Sequence, residues 1–245
     1  MKISCIALML VSAFAASSAN AATVLGVKVG GDLLWAESTG ALAELHHAKQ
    51  NIDYKDTAQY SVWLNLEHPI PLLPNLRIRE NHLETDGRLA DAEFVFQGVD
   101  YTGSVKGTAD LSNTDFVLYY EVFDNDILSV DLGGAYKKFS GEYRMSQDNF
   151  AGSIELDGGV YMGYASAEVS LITTGLFAYG ELLAGIDYNS IRDYQVGLGW
   201  QFDGVALDTR VRLGYRQFNF EDPSFSGVTA DMRFSGVTAG VEIVF

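Results

Sequence analysis

Cysteine is nearly missing from this chain of 245 residues; Cys5 is the only one. Disulfides and thiol chemistry are therefore excluded from everything that follows it. Basic residues are scarce as well, 16 Lys plus Arg against 32 Asp plus Glu, for a formal net charge of −16. A nucleic-acid partner is excluded, because phosphate binding needs a basic surface. After residue 20 no apolar run approaches the ~18 residues of a membrane-spanning helix. Only four histidines are present and no Cys/His cluster, so no zinc site is expected. The acidic stretches lack the spacing of an EF-hand loop. Gly158-Gly159 lacks the strand-to-helix context of a phosphate-binding turn. No cofactor, metal site or catalytic residue is expected. Hydrophobic residues make up 48% and charged ones 20%, which excludes a disordered chain.

What is abundant is glycine (25 residues), aromatics (12%) and alternation. The first segment stands apart. Lys2, the apolar stretch Ile3 to Ala16 and the small-residue site Ala19-Asn20-Ala21 read as a secretory leader, residues 1–21, cut after Ala21. Residues 22–245 then form one barrel domain.

In that domain period two dominates. Val237, Ala239, Val241, Ile243 and Phe245 alternate with Thr238, Gly240, Glu242 and Val244. Tyr194, Val196, Leu198, Trp200 and Phe202 alternate with Asp193, Gln195, Gly197, Gly199 and Gln201. Leu176 to Ile186 is less regular, with Phe177, Tyr179 and Leu183 on the polar face. The connections are short at 123–126, 172–175 and 203–204. They are long and polar at 36–53, 84–110, 140–157 and 220–235. A stiff proline turn, Glu67 to Asn75, joins the second and third strands.

The fold class is thus all-β: a transmembrane antiparallel up-and-down β-barrel of about ten strands, eight or twelve also being compatible. The ten are expected near 23–35, 54–67, 76–85, 108–122, 127–139, 158–171, 176–187, 191–202, 205–219 and 236–245. Phe94, Phe96 and Tyr101 suggest a further strand or hairpin in Ala92 to Lys106, beyond the membrane edge. A lipocalin has the same period with its apolar face inward. Aromatics near strand ends, glycines on the polar face and the chain ending on Phe245 favour the membrane barrel.

The stretch Leu66 to Asn75, the pair Tyr119-Tyr120, Gly214-Tyr215-Arg216 and the end Phe234-Ser235-Gly236 to Phe245 resemble a small family of uncharacterised outer-membrane β-barrel proteins of Gram-negative bacteria. The resemblance runs over residues 22–245. It implies location in the cell outer membrane and architecture, and carries no catalytic residue. The terminal strand with Phe245 resembles the signal by which bacterial barrels are recognised by the assembly machinery.

On the ten-strand register the inward face holds Lys28, Arg77, Arg79, Lys137, Arg210, Arg212 and Arg216. It also holds Asp32, Glu67, Asp115, Glu121, Asp131, Glu168, Glu181, Asp187, Asp193, Asp208 and Glu242. In so narrow a lumen opposite charges should pair, because an unpaired buried charge is very costly. A charge plug is expected, with Lys28 near Glu242 and the Arg210/Arg212 pair facing acids such as Asp193. The expected role is structural or envelope-associated, as a monomer amid outer-membrane lipid and lipopolysaccharide. The alternatives are a small cation-preferring pore, since the inward excess is acidic, and a surface receptor or adhesin acting through the loops. An enzyme is not expected. A rim-sited hydrolase would need a paired histidine. His82 has Glu84 and Asp86 nearby, but no serine motif accompanies it, and Ser146 or Ser153 would be arbitrary choices. His46-His47 sit in a long loop and His68 in the proline turn.

Overall fold

The computed structural model describes residues 25–44, 49–70, 72–148, 150–171, 174–186, 190–205, 207–222 and 228–245. The leader expected at 1–21, His46-His47 and Asp187 lie outside the described residues. Among those described, all regular structure is strand. In chain order the strands are β1 (Gly26–Glu44), β2 (Gln50–Tyr54), β3 (Thr57–Glu67), β4 (Asn75–His82), β5 (Glu84–Phe96), β6 (Val99–Asp110), β7 (Asn113–Asp124) and β8 (Leu128–Phe139). They continue with β9 (Glu142–Gln147), β10 (Phe150–Glu155), β11 (Gly158–Ser170), β12 (Leu176–Gly185), β13 (Arg192–Phe202), β14 (Asp208–Asp222) and β15 (Val228–Val244).

Ten of these close a barrel, in the order β1-β3-β4-β7-β8-β11-β12-β13-β14-β15 and back to β1, every pair antiparallel. Closure pairs β15 with β1, Gly30 opposite Glu242, and Phe245 donates its N–H to the Val27 carbonyl at 2.9 Å. No edge is left in the barrel wall. The outward positions are apolar around the circumference. Leu33, Val62, Leu118, Leu132, Leu182, Leu198, Leu213 and Val241 are all exposed. Tyr60, Tyr120, Trp200 and Tyr215 join them. An apolar outer belt with aromatic girdles around a polar interior is the cross-section of a membrane-spanning barrel.

The other five strands are the main departure from the sequence reading. The stretches 36–53, 84–110, 140–157 and 220–235 are expected as polar loops. Instead much of their length extends the barrel strands outward as sheet. β2, β5, β6, β9 and β10 pair in the order β10-β9-β6-β5-β2, and β2 joins the far part of β1. The hairpin expected within 92–106 is β5–β6, turning at Gln97 and Gly98, both with positive φ. Two adjacent left-handed residues make the tight turn whose twist matches the strands.

One face of this outer sheet is buried. Tyr54, Leu89, Tyr101, Val105, Tyr143 and Met145 form one apolar cluster with Leu83, Phe139, Phe218, Phe220 and Phe234 of the barrel strands and their breaks. The Phe139 and Phe220 rings meet edge-on at 5.1 Å. The inward residues of β14 summarise the layering from the short-turn end outward: Arg210, Arg212, Gly214, Arg216, then Phe218 and Phe220.

Candidate functional site: the charged barrel interior

Strand alternation points all seven expected basic residues inward, and each makes an ion pair. The centre of the interior is built around Asp193 on β13. Arg216 on adjacent β14 donates to both its oxygens, Nε to Oδ1 at 2.9 Å and Nη2 to Oδ2 at 2.7 Å. The same guanidinium crosses the lumen to Ser61 Oγ on β3 and Asn81 Oδ1 on β4, each at 2.8 Å. Arg79 reaches Asp115 at 3.0 Å, Glu181 at 2.5 Å and Asp193 at 3.2 Å. Lys137 is ion-paired with Asp115 Oδ1 at 2.8 Å and donates to Asn113 Oδ1 and Asp193 Oδ2. Asp115 and Lys137 are fully buried. Charges of this kind persist only where partners and hydrogen bonds replace water.

Towards the short turns a second layer follows. Arg77 pairs with Glu181 at 2.7 Å and Arg212 with Asp32 at 2.8 Å. Arg210 bridges Glu242 at 2.9 Å and Glu168 at 2.5 Å. Aromatic faces fill the space between arginines. Arg210 lies 3.9 Å above the Phe177 ring, and Arg212 sits over both Trp63 and Tyr179. Phe177 and Tyr179, irregular in the sequence pattern, are thus parts of the interior packing. Glycines make room for them. A Cβ at Gly30 would lie 2.3 Å from Trp63, and one at Gly199 would lie 2.1 Å from Phe177.

Of the two expected placements, Lys28 does share the vestibule with Glu242, but its bond goes to Glu67 at 2.7 Å, because β1 pairs with β3 so that Gly26 faces Glu67 and the lysine leans toward it. Glu242 is taken by Arg210 and by Trp63 Nε1 at 3.2 Å. Asp193 pairs with Arg216, its diagonal neighbour on β14 (Phe218 lies directly opposite), rather than with Arg210 or Arg212 nearer the short turns. Among the expected acids, Glu121 and Asp131 face each other across β7 and β8, and neither makes an ion pair among the described residues. They line a polar vestibule of about 280 Å³ at the short-turn end, together with Lys28 and Glu168. Asp208 belongs to a short turn and accepts from the Gly204 N–H at 3.0 Å.

Sequence reasoning missed the serine near His82. Antiparallel pairing of β4 with β7 puts Asn81 opposite Asn113 and so brings His82 beside Ser112, thirty residues away. No short motif could have signalled a contact made only by strand order.

No family model and no curated protein matches this chain. Its fold is similar to that of the outer membrane protease OmpT from Escherichia coli, at 10% identity and TM-score 0.49, covering 93% of this chain and 99% of that one. It is also similar to the translocator domain of the autotransporter NalP from Neisseria meningitidis, at 14% identity and TM-score 0.41, covering 98% and 95%. A third similar structure is Ail, the attachment invasion locus protein of Yersinia pestis, at 11% identity and TM-score 0.31, covering 90% and 99%.

Proposed function

We propose that this protein is a monomeric barrel of the bacterial outer membrane whose interior is plugged, and whose role is structural or envelope-associated and exercised at its outer surface. The observation that carries the reading is the stacking of two seals along one axis. Seven basic groups are ion-paired inside the lumen, some between neighbouring strands and some, such as Arg77–Glu181 and Arg79–Asp193, across it. Above them the Phe218, Phe220 and Phe234 side chains are fully buried against the outer sheet. A solute entering the vestibule would have to break buried ion pairs and then cross an apolar core. Orientation follows from the asymmetry of the ends: short turns, the start of β1 and the end of β15 on the periplasmic side, the extended sheet outside. On this reading Phe245 offers its strand to the assembly machinery, and the acidic outer edges meet lipopolysaccharide through bridging metal ions. The seals disfavour the cation-preferring pore. The outer sheet favours a second reading, a surface receptor or adhesin, because it presents a large ordered platform beyond the membrane.

Liposome swelling tests the plug. Vesicles carrying the refolded protein should swell in small sugars no faster than empty vesicles. Rapid swelling would reject the plugged interior.

A further inference from the structure

On the outward face, above the belt, three groups of general acid–base chemistry stand in line. Ser112 Oγ lies 3.4 Å from His82 Nδ1, and His82 Nε2 lies 3.8 Å from Glu84 Oε2. Ser112 Oγ accepts the Leu83 N–H at 3.2 Å, which leaves its own hydrogen available to a base. The reaction uses the His82 tautomer protonated on Nε2, on the side of the Glu84 carboxylate, with Nδ1 free as the base. The imidazole is held by stacking on Tyr60, ring centroids 4.9 Å apart. The serine backbone is held by Asp110 and Ser140, the former accepting its N–H at 2.8 Å and the latter donating to its carbonyl at 3.0 Å. A nucleophile, a base and a group that orients the base are the minimal set for acyl transfer.

We propose that Ser112 and His82 are catalytic residues for hydrolysis of carboxylic acyl esters of outer-leaflet lipids, with Glu84 as the positioning residue. The substrate class follows from depth. Ile78 and Phe116 belong to the belt, and His82 and Ser112 lie four residues farther out on the same strands, about 13 Å at ~3.3 Å per residue. Tyr60, stacked on the histidine, is an outward aromatic of the kind that marks the lipid–water interface. Ester carbonyls lie at that interface. Lys138, exposed on β8 and diagonal to Ser112, is the cation that register places nearest to the serine on that strand.

In the reaction Ser112 Oγ bonds the acyl carbon as its proton passes to Nδ1. The ester C–O bond breaks, and the leaving alkoxide takes that proton. Water then attacks the acyl carbon and gives a proton to Nδ1. The Oγ–carbon bond breaks, the acid departs, and the serine hydroxyl is restored. The net change is ester plus water to acid plus alcohol.

The proposal rests on the outward rim lying at the outer leaflet, so the test separates the two. Refolded protein, its fold checked by heat-dependent gel mobility, is given phosphatidylethanolamine or lipopolysaccharide. Each lipid is offered both in vesicles and in mixed detergent micelles, and released fatty acid is measured. The expected result is release from one of the two lipids. Ser112→Ala and His82→Ala should lower it by about 100-fold or more, and Glu84→Gln should lower kcat with little change in KM. Release from micelles but not vesicles would uphold the chemistry and overturn the assigned depth. Folded wild type that releases nothing in either form, or Ser112→Ala that releases as fast as wild type, would overturn the site.

Discussion

Replacing Arg216 with alanine removes the residue that ties four walls of the barrel together. The wild-type guanidinium is almost fully buried and donates to Asp193 twice, to Ser61 and to Asn81. Its loss leaves Asp193 with only the longer contacts to Arg79 and Lys137, at 3.2 and 3.3 Å. Breaking one partner of a buried pair costs about 3–5 kcal/mol, since the other charge is left without compensation. With a urea dependence of about 2 kcal/mol per M, the unfolding midpoint of the refolded barrel should fall by about 2 M. The double variant Arg216→Ala/Asp193→Ala removes both charges and should lose less than the sum of the singles, by about 0.5–3 kcal/mol. Urea titration of the four proteins, followed by tryptophan fluorescence, gives the cycle. A loss below about 1 kcal/mol for Arg216→Ala, or strict additivity in the double variant, would refute the reasoning that this network is a mutually compensated buried unit.

Three further expectations follow from the same geometry. Gly30→Ala places a methyl against the Trp63 ring and should cost about 1–3 kcal/mol by overpacking, read as a lower urea midpoint; an unchanged midpoint would contradict the close approach. Phe220→Ala should cost about 3–5 kcal/mol and make the outer sheet open to protease while the barrel keeps its heat-dependent mobility; equal protection in wild type and variant would argue against the apolar seal. With Cys5 the chain's one cysteine, a variant without it can be labelled singly: a fluorophore at Leu33→Cys should be quenched by brominated lipid tails and one at Asp53→Cys should not, and the reverse pattern would displace the belt.

The barrel itself was legible because its signal is strict. One residue in two of β13 and of the membrane-spanning part of β15, residues 236–244, must face lipid, so period two survives undisturbed there. Of the outer sheet only the hairpin within 92–106 was legible, because elsewhere its buried face mixes large residues such as Leu89 and Tyr143 with small ones. Gly87, Ala92, Gly107 and Ala109 fill positions where larger apolar groups would have announced a strand, and a bulge between Leu89 and Ala92 breaks the period. The same limit applies to the interior. Alternation placed the seven basic groups inside, but partners depend on reach across the lumen. Arg212 on β14 meets Asp32 two strands away on β1, and Arg79 on β4 meets Asp193 on the opposite wall. Ser112 and His82 meet only because β7 is the neighbour of β4.

The central claim is that the barrel is closed along its axis, and ion conductance of the refolded wild type in a planar lipid bilayer tests it most directly. The closed barrel should give a silent baseline in the wild type and also in Arg210→Ala, because the apolar seal lies in series with the ion pairs that variant loosens. Steady steps in the wild type, selective for cations, would contradict it and return the acidic vestibule to the mouth of an open pore.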